Sequence, residues 1–567
     1  MNLEIPSGLH SQLRSLDGKG YRAYKTLQGT SWNFGPVRLK FEHVQGDPYA
    51  APSRLSATIA RQDSGYPDEA ASTPLRRRAM EDFILRRFWQ AKCAVTDRTA
   101  GSGKSGEIGA LRPGQKMLQR SAVGVDEASV GLIFFAGLPG DGRRILGREC
   151  ARLFQNDIPH ILLHTLTTES LDPGALRAHW QTLEDHAALS ATLHERGWVG
   201  FVANGSRLPR RAGNSDLPMA EGAVPFTAPP DLTASVTLPH AGEVEGMPVP
   251  QGVTLLVGGG FHGKSTLLKA LQDAVYPHIP GDGRERVAVD PTAVKIRAED
   301  GRFAHSVDIS PFLDTLPGVE STGSFTTPNA SGSTSQAVNI VQALEARCQT
   351  LLLDEDTCAT NFMVRDARMQ ALIEKAGEPI TPFVDRVREL HDRFGVSTVL
   401  VMGGCGDYFD PADTVIAMER FQPALVTQQA KAVAARLPTG RVRESSRPFP
   451  EKAPGRVFPQ GLSFRRGKRE VNIRVFGLET LVLGTNEVET RFIEQFVETG
   501  QLEACGWLLT ALRQWLEDEP GSTVDGAACL LEKMKEQGLS IFQDYDSGLL
   551  ALPRLQDVMA VLNRIRY

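Results

Sequence analysis

Apolar positions change their spacing along this chain, and the changes mark its elements. Residues 1–205 mix short strand patterns with helical ones, the clearest helices being Ala79–Cys93 and Ala175–Arg196. Pro, Gly and Ala then crowd residues 206–250, which predicts an extended connection. From 251 to 435, apolar runs such as Val253–Val257 and Ser397–Met402 alternate with amphipathic helical patterns. That alternation predicts a largely parallel α/β sheet, flanked by α+β regions before and after it. In the last region, 436–567, a Pro- and Arg-rich stretch (Leu437–Pro459) precedes Asn472–Gly484, which reads as a β-hairpin, and then helices through Arg566. No internal repeat is long enough to matter.

The first strand of the central region feeds Gly258-Gly259-Gly260-Phe261-His262-Gly263-Lys264-Ser265-Thr266, and a helical pattern starts at Lys264. Strand, G-x-x-x-x-G-K-S loop and helix together form a P-loop in the context that motif needs. Gly258 and Gly263 let successive backbone N–H groups turn inward, and the helix start adds free N–H groups, so the loop predicts a phosphate cradle. Lys264 is placed to reach the β- and γ-phosphates and Ser265 to bind Mg²⁺. The expected ligand is a nucleoside triphosphate, ATP with Mg²⁺.

A leucine run, Thr350–Leu353, ends in Asp354 and Glu355. A carboxylate at such a strand end holds Mg²⁺ through water opposite the P-loop serine, and the carboxylate after it polarises the attacking water. An acidic pair at a strand end is equally often a solvated terminus; the P-loop upstream favours hydrolysis, with Glu355 and Lys264 as its catalytic groups.

Between these motifs lies Asn329–Arg347, a small-residue turn opening a helix, and the order of parts now resembles the ABC-type ATPases. Ser331, Gly332, Ser333 and Gln336 stand where that family carries its signature. The stretch after Glu355, through Asn361, resembles its D-loop. GGGFHGKSTLL, YPHIPGDGRE, VKIRAEDGR, ASGSTSQAVNI, LLLDEDTCATNFMVRD and GDYFDPAD are similar to a family of soluble ABC-class ATPases. VQGDPYAAPSRL and GSGKSG extend that resemblance over nearly the whole chain. It implies a P-loop ATPase core with family-specific domains on both sides. It also implies a head-to-tail homodimer, in which the partner's Ser331, Gly332 and Ser333 complete the phosphate site. Two departures stand out. GGCGDYFD replaces the histidine expected after Ser397–Met402, leaving Asp407 as a candidate γ-phosphate sensor. No clear Q-loop glutamine is present, which leaves Glu299 as a candidate metal-linked residue or an ordinary acid in a turn.

A chain of 567 residues, 41% of them hydrophobic, has room for three or four domains with well-buried cores. Its apolar runs fall short of the ~18–20 residues that cross a bilayer, and no apolar leader opens it. Seven scattered cysteines without a C-x-x-C pair argue for a reducing, cytoplasmic setting and against structural zinc.

The net charge of −5 conceals two basic stretches, Arg76–Arg120 with eleven Lys/Arg against four acids and Arg436–Arg474 with eleven against three. Arg76, Arg77, Arg78, Lys104, Arg112 and Lys116 are candidate nucleic-acid contacts, RNA being favoured by the family resemblance alone; for either stretch alone solvated faces and salt bridges are the slightly better reading, and the presence of basic stretches in both flanking regions tips the balance to nucleic acid. Thr99–Ile108 contains GSGKS but lacks the first glycine of the P-loop spacing, so it reads as a basic loop or plain turn. Two further readings stay open: an ATP-dependent switch or assembly factor read by a protein partner, and a phosphotransferase using the same P-loop. The acidic pair and the signature weigh against the second.

Overall fold

Strict alternation in burial builds the first sheet. Along Ser53–Ala60 and Ser129–Ala136 every second residue is buried, and the two strands pair antiparallel from Ser53–Ala136 to Ala60–Ser129. With Ser31–Phe34, Val37–His43, Ile108–Gly109 and Val123–Val125 they make six strands. Helix Pro74–Ala94 starts five residues before the predicted Ala79, because Thr73 accepts a hydrogen bond from the Arg76 N–H and Pro74 fits the first helical position. Three consecutive arginines hide that first turn from a periodicity argument. The computed structural model describes residues 3–566 except 96–99, 317–320, 446–447, 451–457, 459–461, 468–470 and 520. It packs as two units, Met1–Glu184 with Met534–Leu552, and Asp185–Lys533 with Pro553–Tyr567.

In the second unit, residues 206–250 do more than connect. Ala234–Leu238 and Gly242–Pro250 are strands, and they join Trp198–Ala203 and Val287–Val289 in an antiparallel sheet. Val236, Leu238 and Val244 bury against Leu189, Leu193 and Phe201, so a few apolar residues between the prolines suffice to order the segment.

The central sheet is built from β1 (Val253–Val257), β2 (Val294–Ile296), β3 (Thr350–Asp354), β4 (Ser397–Val401), β5 (Thr414–Glu419) and β6 (Gln422–Leu425), in the order β2–β3–β4–β1–β5–β6. Only β6 is antiparallel to its neighbour. All five residues of β3 and of β4 are buried, as expected for parallel strands covered on both faces. Helices α1 (Lys264–Asp273), α2 (Gly332–Glu345) and α3 (Val387–Phe394) belong to the connections between them. Register levels the strand ends: Leu256 of β1 and Asp354 of β3 both pair with Val401 of β4. Whatever follows each strand therefore emerges at one edge, where open parallel sheets hold ligands.

The expected hairpin is present as Ile473–Phe476 paired with Thr480–Leu483, and a third strand, Asn486–Glu489, extends it. That strand offers only Val488 to the interior, too little for a pattern to show. The terminal helix α4 (Leu555–Leu562) packs into the second unit: Gln556 Nε2 donates to the Ala346 carbonyl at the end of α2, and Tyr276 OH donates to Asp557. No helix among the described residues is long and apolar enough to cross a membrane.

Candidate functional site

The loop after β1 has the backbone a phosphate cradle needs. Gly258 has φ +131°, and a Cβ there would lie 2.4 Å from the Met418 carbonyl, so only glycine fits. Gly263, at φ +96°, precedes α1 without a side-chain cap, which leaves the helix's first N–H groups available to an anion. Phe261 takes a left-handed backbone (φ +61°) and is fully exposed; Gly259 and Gly260 complete the turn. His262 ties the loop to the turn between β5 and β6. Its Nδ1 accepts the Arg420 N–H at 2.8 Å and its carbonyl accepts the Phe421 N–H at 3.2 Å. Ser265 is exposed and Thr266 half-buried at the start of α1.

Lys264 Nζ donates to the Gly258 and Gly259 carbonyls, both at 2.7 Å. Asp354, at the end of β3, is 8% exposed and caps the next turn by accepting the Asp356 N–H. Glu355 follows it, and Glu355 Oε2 accepts the N–H groups of Gly403 and Gly404 at 2.5 and 3.1 Å. A Cβ on Gly403 would lie 3.6 Å from Glu355 Oε2 and 3.9 Å from Lys264 Nζ. Lysine, glutamate and glycine pair thus meet at the common strand edge. A hydroxyl (Ser265) and one carboxylate (Asp354) are the hard oxygen donors that suit Mg²⁺, which takes few protein ligands and fills its octahedron with water and phosphate oxygens.

The signature segment forms the start of α2. Ser331 is exposed at its N-cap, and Ser331 Oγ lies 3.0 Å from Thr334 Oγ1. Ser335 Oγ donates to the Gly332 carbonyl; Gly332 and Ser333 are half-buried. Gln336 is fully buried, and its Oε1 accepts the Ala359 N–H at 2.8 Å, which links the signature helix to the segment following Glu355.

Two candidate residues have partners of their own. Glu299 is 3% exposed, and its carboxylate accepts from Arg564 at 2.5 Å and from Asn339 Nδ2 at 3.1 Å, with Arg302 nearby. Burial pushes its carboxyl upward, but Arg564 and Arg302 outweigh that and hold it below its ordinary value. Both oxygens of Glu299 thus face guanidinium groups. Asp407 accepts from the Cys405 thiol at 3.3 Å and lines a groove of 840 Å³ with Asp385, Arg388 and Arg441; the backbone of Gly403 and Gly404, not Asp407, meets Glu355. A glycine pair just past β4 was the available signal.

The basic stretch Arg76–Arg120 is also largely internal. Arg76 pairs with Glu184 at 2.7 Å and Glu69 at 3.1 Å. Arg78 donates to the Met117 carbonyl, and burial lowers its guanidinium to about 10. Lys116 is 3% exposed, and Arg77 is half-buried. Arg86 and Arg120 converge with His179 on the buried Asp82. Lys104 and Arg112 remain exposed, Arg112 lying over the Trp89 ring. The GSGKS loop donates its Ser102, Lys104 and Gly106 N–H groups to the carbonyls of Gly140, Pro48 and Gly137, and a two-residue strand rather than a helix follows it. It is a structural turn. In the second basic stretch Arg441 pairs with Asp385, while Arg465, Arg466 and Arg474 are exposed. Residues 446–447, 451–457, 459–461 and 468–470 of that stretch lie outside the described residues.

Family models match in sequence order. The P-loop domain model of ABC_ATPase covers residues 172–454, a model for the N-terminal part of ATPases of the ABC class covers 7–169, and an MRB1590 C-terminal domain model covers 472–567. Among curated proteins, the chain is 28% identical over 224 residues to the uncharacterised protein MJ1628 of Methanocaldococcus jannaschii. That alignment takes in 37% of this chain and 47% of the relative, about half its length. Two solved structures are similar to part of the chain. CbiO1 from Clostridium perfringens, part of the ABC transporter complex CbiONQ, is 16% identical, covering 43% of this chain and 96% of that one, with a TM-score of 0.26. MJ1267, an ATP-binding cassette of an ABC transporter in its ADP conformation, is 15% identical, covering 35% and 89%, with a TM-score of 0.23.

Proposed function

The chain belongs to the ABC-class ATPase family, and from that premise we propose that it binds ATP with Mg²⁺ and hydrolyses it to ADP and phosphate. The observation that carries this is the meeting of Lys264, Glu355 and the Gly403–Gly404 amides at one edge of the parallel sheet. In this reading the P-loop amides bind the phosphates, and Lys264 exchanges its carbonyl partners for β- and γ-oxygens. Ser265 and Asp354 hold Mg²⁺, which neutralises charge on the transferred phosphoryl group. Glu355 accepts the proton of the attacking water. The exposed Ser331 at the N-cap of α2 supports the second half of the proposal: a head-to-tail homodimer in which Ser331, Gly332 and Ser333 of one copy close the site of the other.

The ATPase is coupled, we propose further, to nucleic acid, RNA ahead of DNA, through the exposed Lys104, Arg112, Arg465, Arg466 and Arg474. A competing reading, an ATP-driven switch acting on a protein partner, is favoured by the internal pairing of Arg76 and the burial of Lys116. Steady-state hydrolysis with and without single- and double-stranded RNA and DNA, with Glu355→Gln as the blank, separates them. Stimulation by one polymer class supports the first. Glu355-dependent activity with no response to any polymer overturns it.

A further inference from the structure

Glu355 is held by backbone. Gly403 and Gly404, directly after β4, both donate to the same carboxylate oxygen, Oε2, at 2.5 and 3.1 Å. Neither glycine has a left-handed backbone, so conformational freedom is not what the pair supplies. Room is: a Cβ on Gly404 would sit 3.2 Å from Glu355 Oε1, tighter than a Cβ normally approaches an oxygen. The amides also settle a conflict of charge. Lys264 Nζ and Glu355 Oε2 both come within 4 Å of the same point beside Gly403. Opposite charges on neighbouring side chains attract, and a direct pair would take each from the contact that hydrolysis asks of it. Two N–H groups on Oε2 satisfy the carboxylate without the lysine, and the P-loop carbonyls of Gly258 and Gly259 satisfy the lysine without the carboxylate.

We propose that Gly403 and Gly404 are positioning residues for hydrolysis: their paired amides fix the Glu355 carboxylate at Oε2, leaving Oε1 to receive the proton of the attacking water. The proposal rests on the ATPase reading above. It assigns to main-chain donors the place just past β4 where a side chain was expected.

The test is Gly404→Ala, whose methyl displaces the carboxylate. ATP affinity is measured by equilibrium binding and hydrolysis by single turnover, each in the wild-type and Glu355→Gln backgrounds. Gly406→Ala is the control, because its Cβ meets only the Phe409 ring, at an ordinary 3.5 Å. The expected result is a fall in rate of at least about tenfold with affinity within about twofold, and less than about a twofold further change in the Glu355→Gln background. An equal loss in both backgrounds overturns the proposal, since the glycine would then not act through Glu355. A weakened affinity with an unchanged rate overturns it too. If the melting curve of Gly404→Ala departs from wild type, the rates are compared at a temperature where both proteins are fully folded, and an equal loss in the two Glu355 backgrounds there overturns the proposal. A wild-type protein that binds ATP but shows no Glu355-dependent hydrolysis instead refutes the ATPase reading, a result seen before any glycine variant is compared.

Discussion

Replacing Glu299 by Gln separates the two roles that its position suggests. The carboxylate is 3% exposed and faces Arg564, itself 9% exposed at its side chain, and Arg302 at 2%. Gln keeps the shape and one acceptor but leaves two buried guanidinium groups without their counter-charge. Breaking a buried pair costs about 3–5 kcal/mol, and the retained acceptor puts this change near the lower end, ~3 kcal/mol. The second unit holds roughly 360 residues, whose unfolding entropy at ~2.1 cal/mol/K per residue comes to ~0.76 kcal/mol/K, so the melting temperature should fall by about 4 °C. The measurement is a calorimetric scan, paired with a Mg²⁺ titration of hydrolysis. Because the folded-state pKa of Glu299 is lowered, its contribution is fully present above the unfolded value of about 4.3 and is lost as pH falls through the lower folded value. The gap between wild type and variant should therefore close on acidification below pH ~4.3. An unchanged melting temperature together with a raised Mg²⁺ requirement would refute the argument and return Glu299 to the metal.

Gly258→Ala should abolish ATP binding, because its Cβ would lie 2.4 Å from the Met418 carbonyl at φ +131°; equilibrium binding with a fluorescent ATP analogue checks it. Gln336→Ala removes the acceptor of the Ala359 N–H and should destabilise the second unit by about 1–3 kcal/mol, read as a lowered melting temperature; no shift would remove that link from the account. Asp82→Asn leaves Arg86, Arg120 and His179 around a neutral group and should destabilise the first unit by about 3–5 kcal/mol, read by denaturant unfolding, while ATP affinity stays unchanged. Joint reversal of Lys104 and Arg112 to Glu should weaken RNA binding and flatten its salt dependence; retention of both in a filter-binding series would exclude this loop from the interface.

Short-range pattern carried most of the motor. The apolar runs, the glycine spacing around Lys264 and the Asp354–Glu355 pair are local signals, each decided within about ten residues. The parallel sheet followed from them because continuous apolar strands separated by helices have few other ways to bury both faces. What local pattern does not contain is which charges find each other. Glu299 and Arg564 stand 265 positions apart in the chain, Arg76 and Glu184 stand 108 apart, and only folding turns two apparent surface charges into internal pairs. A count of arginines therefore overstated the basic surface, and an acid after a strand found its partner at the far end of the chain. Gly403 and Gly404 show the same limit from the other side. Their function lies in backbone N–H groups that every residue except proline possesses, so no side chain announces it. The level ends of β3 and β4 bring those donors to Glu355, and strand register is a property of the assembled sheet.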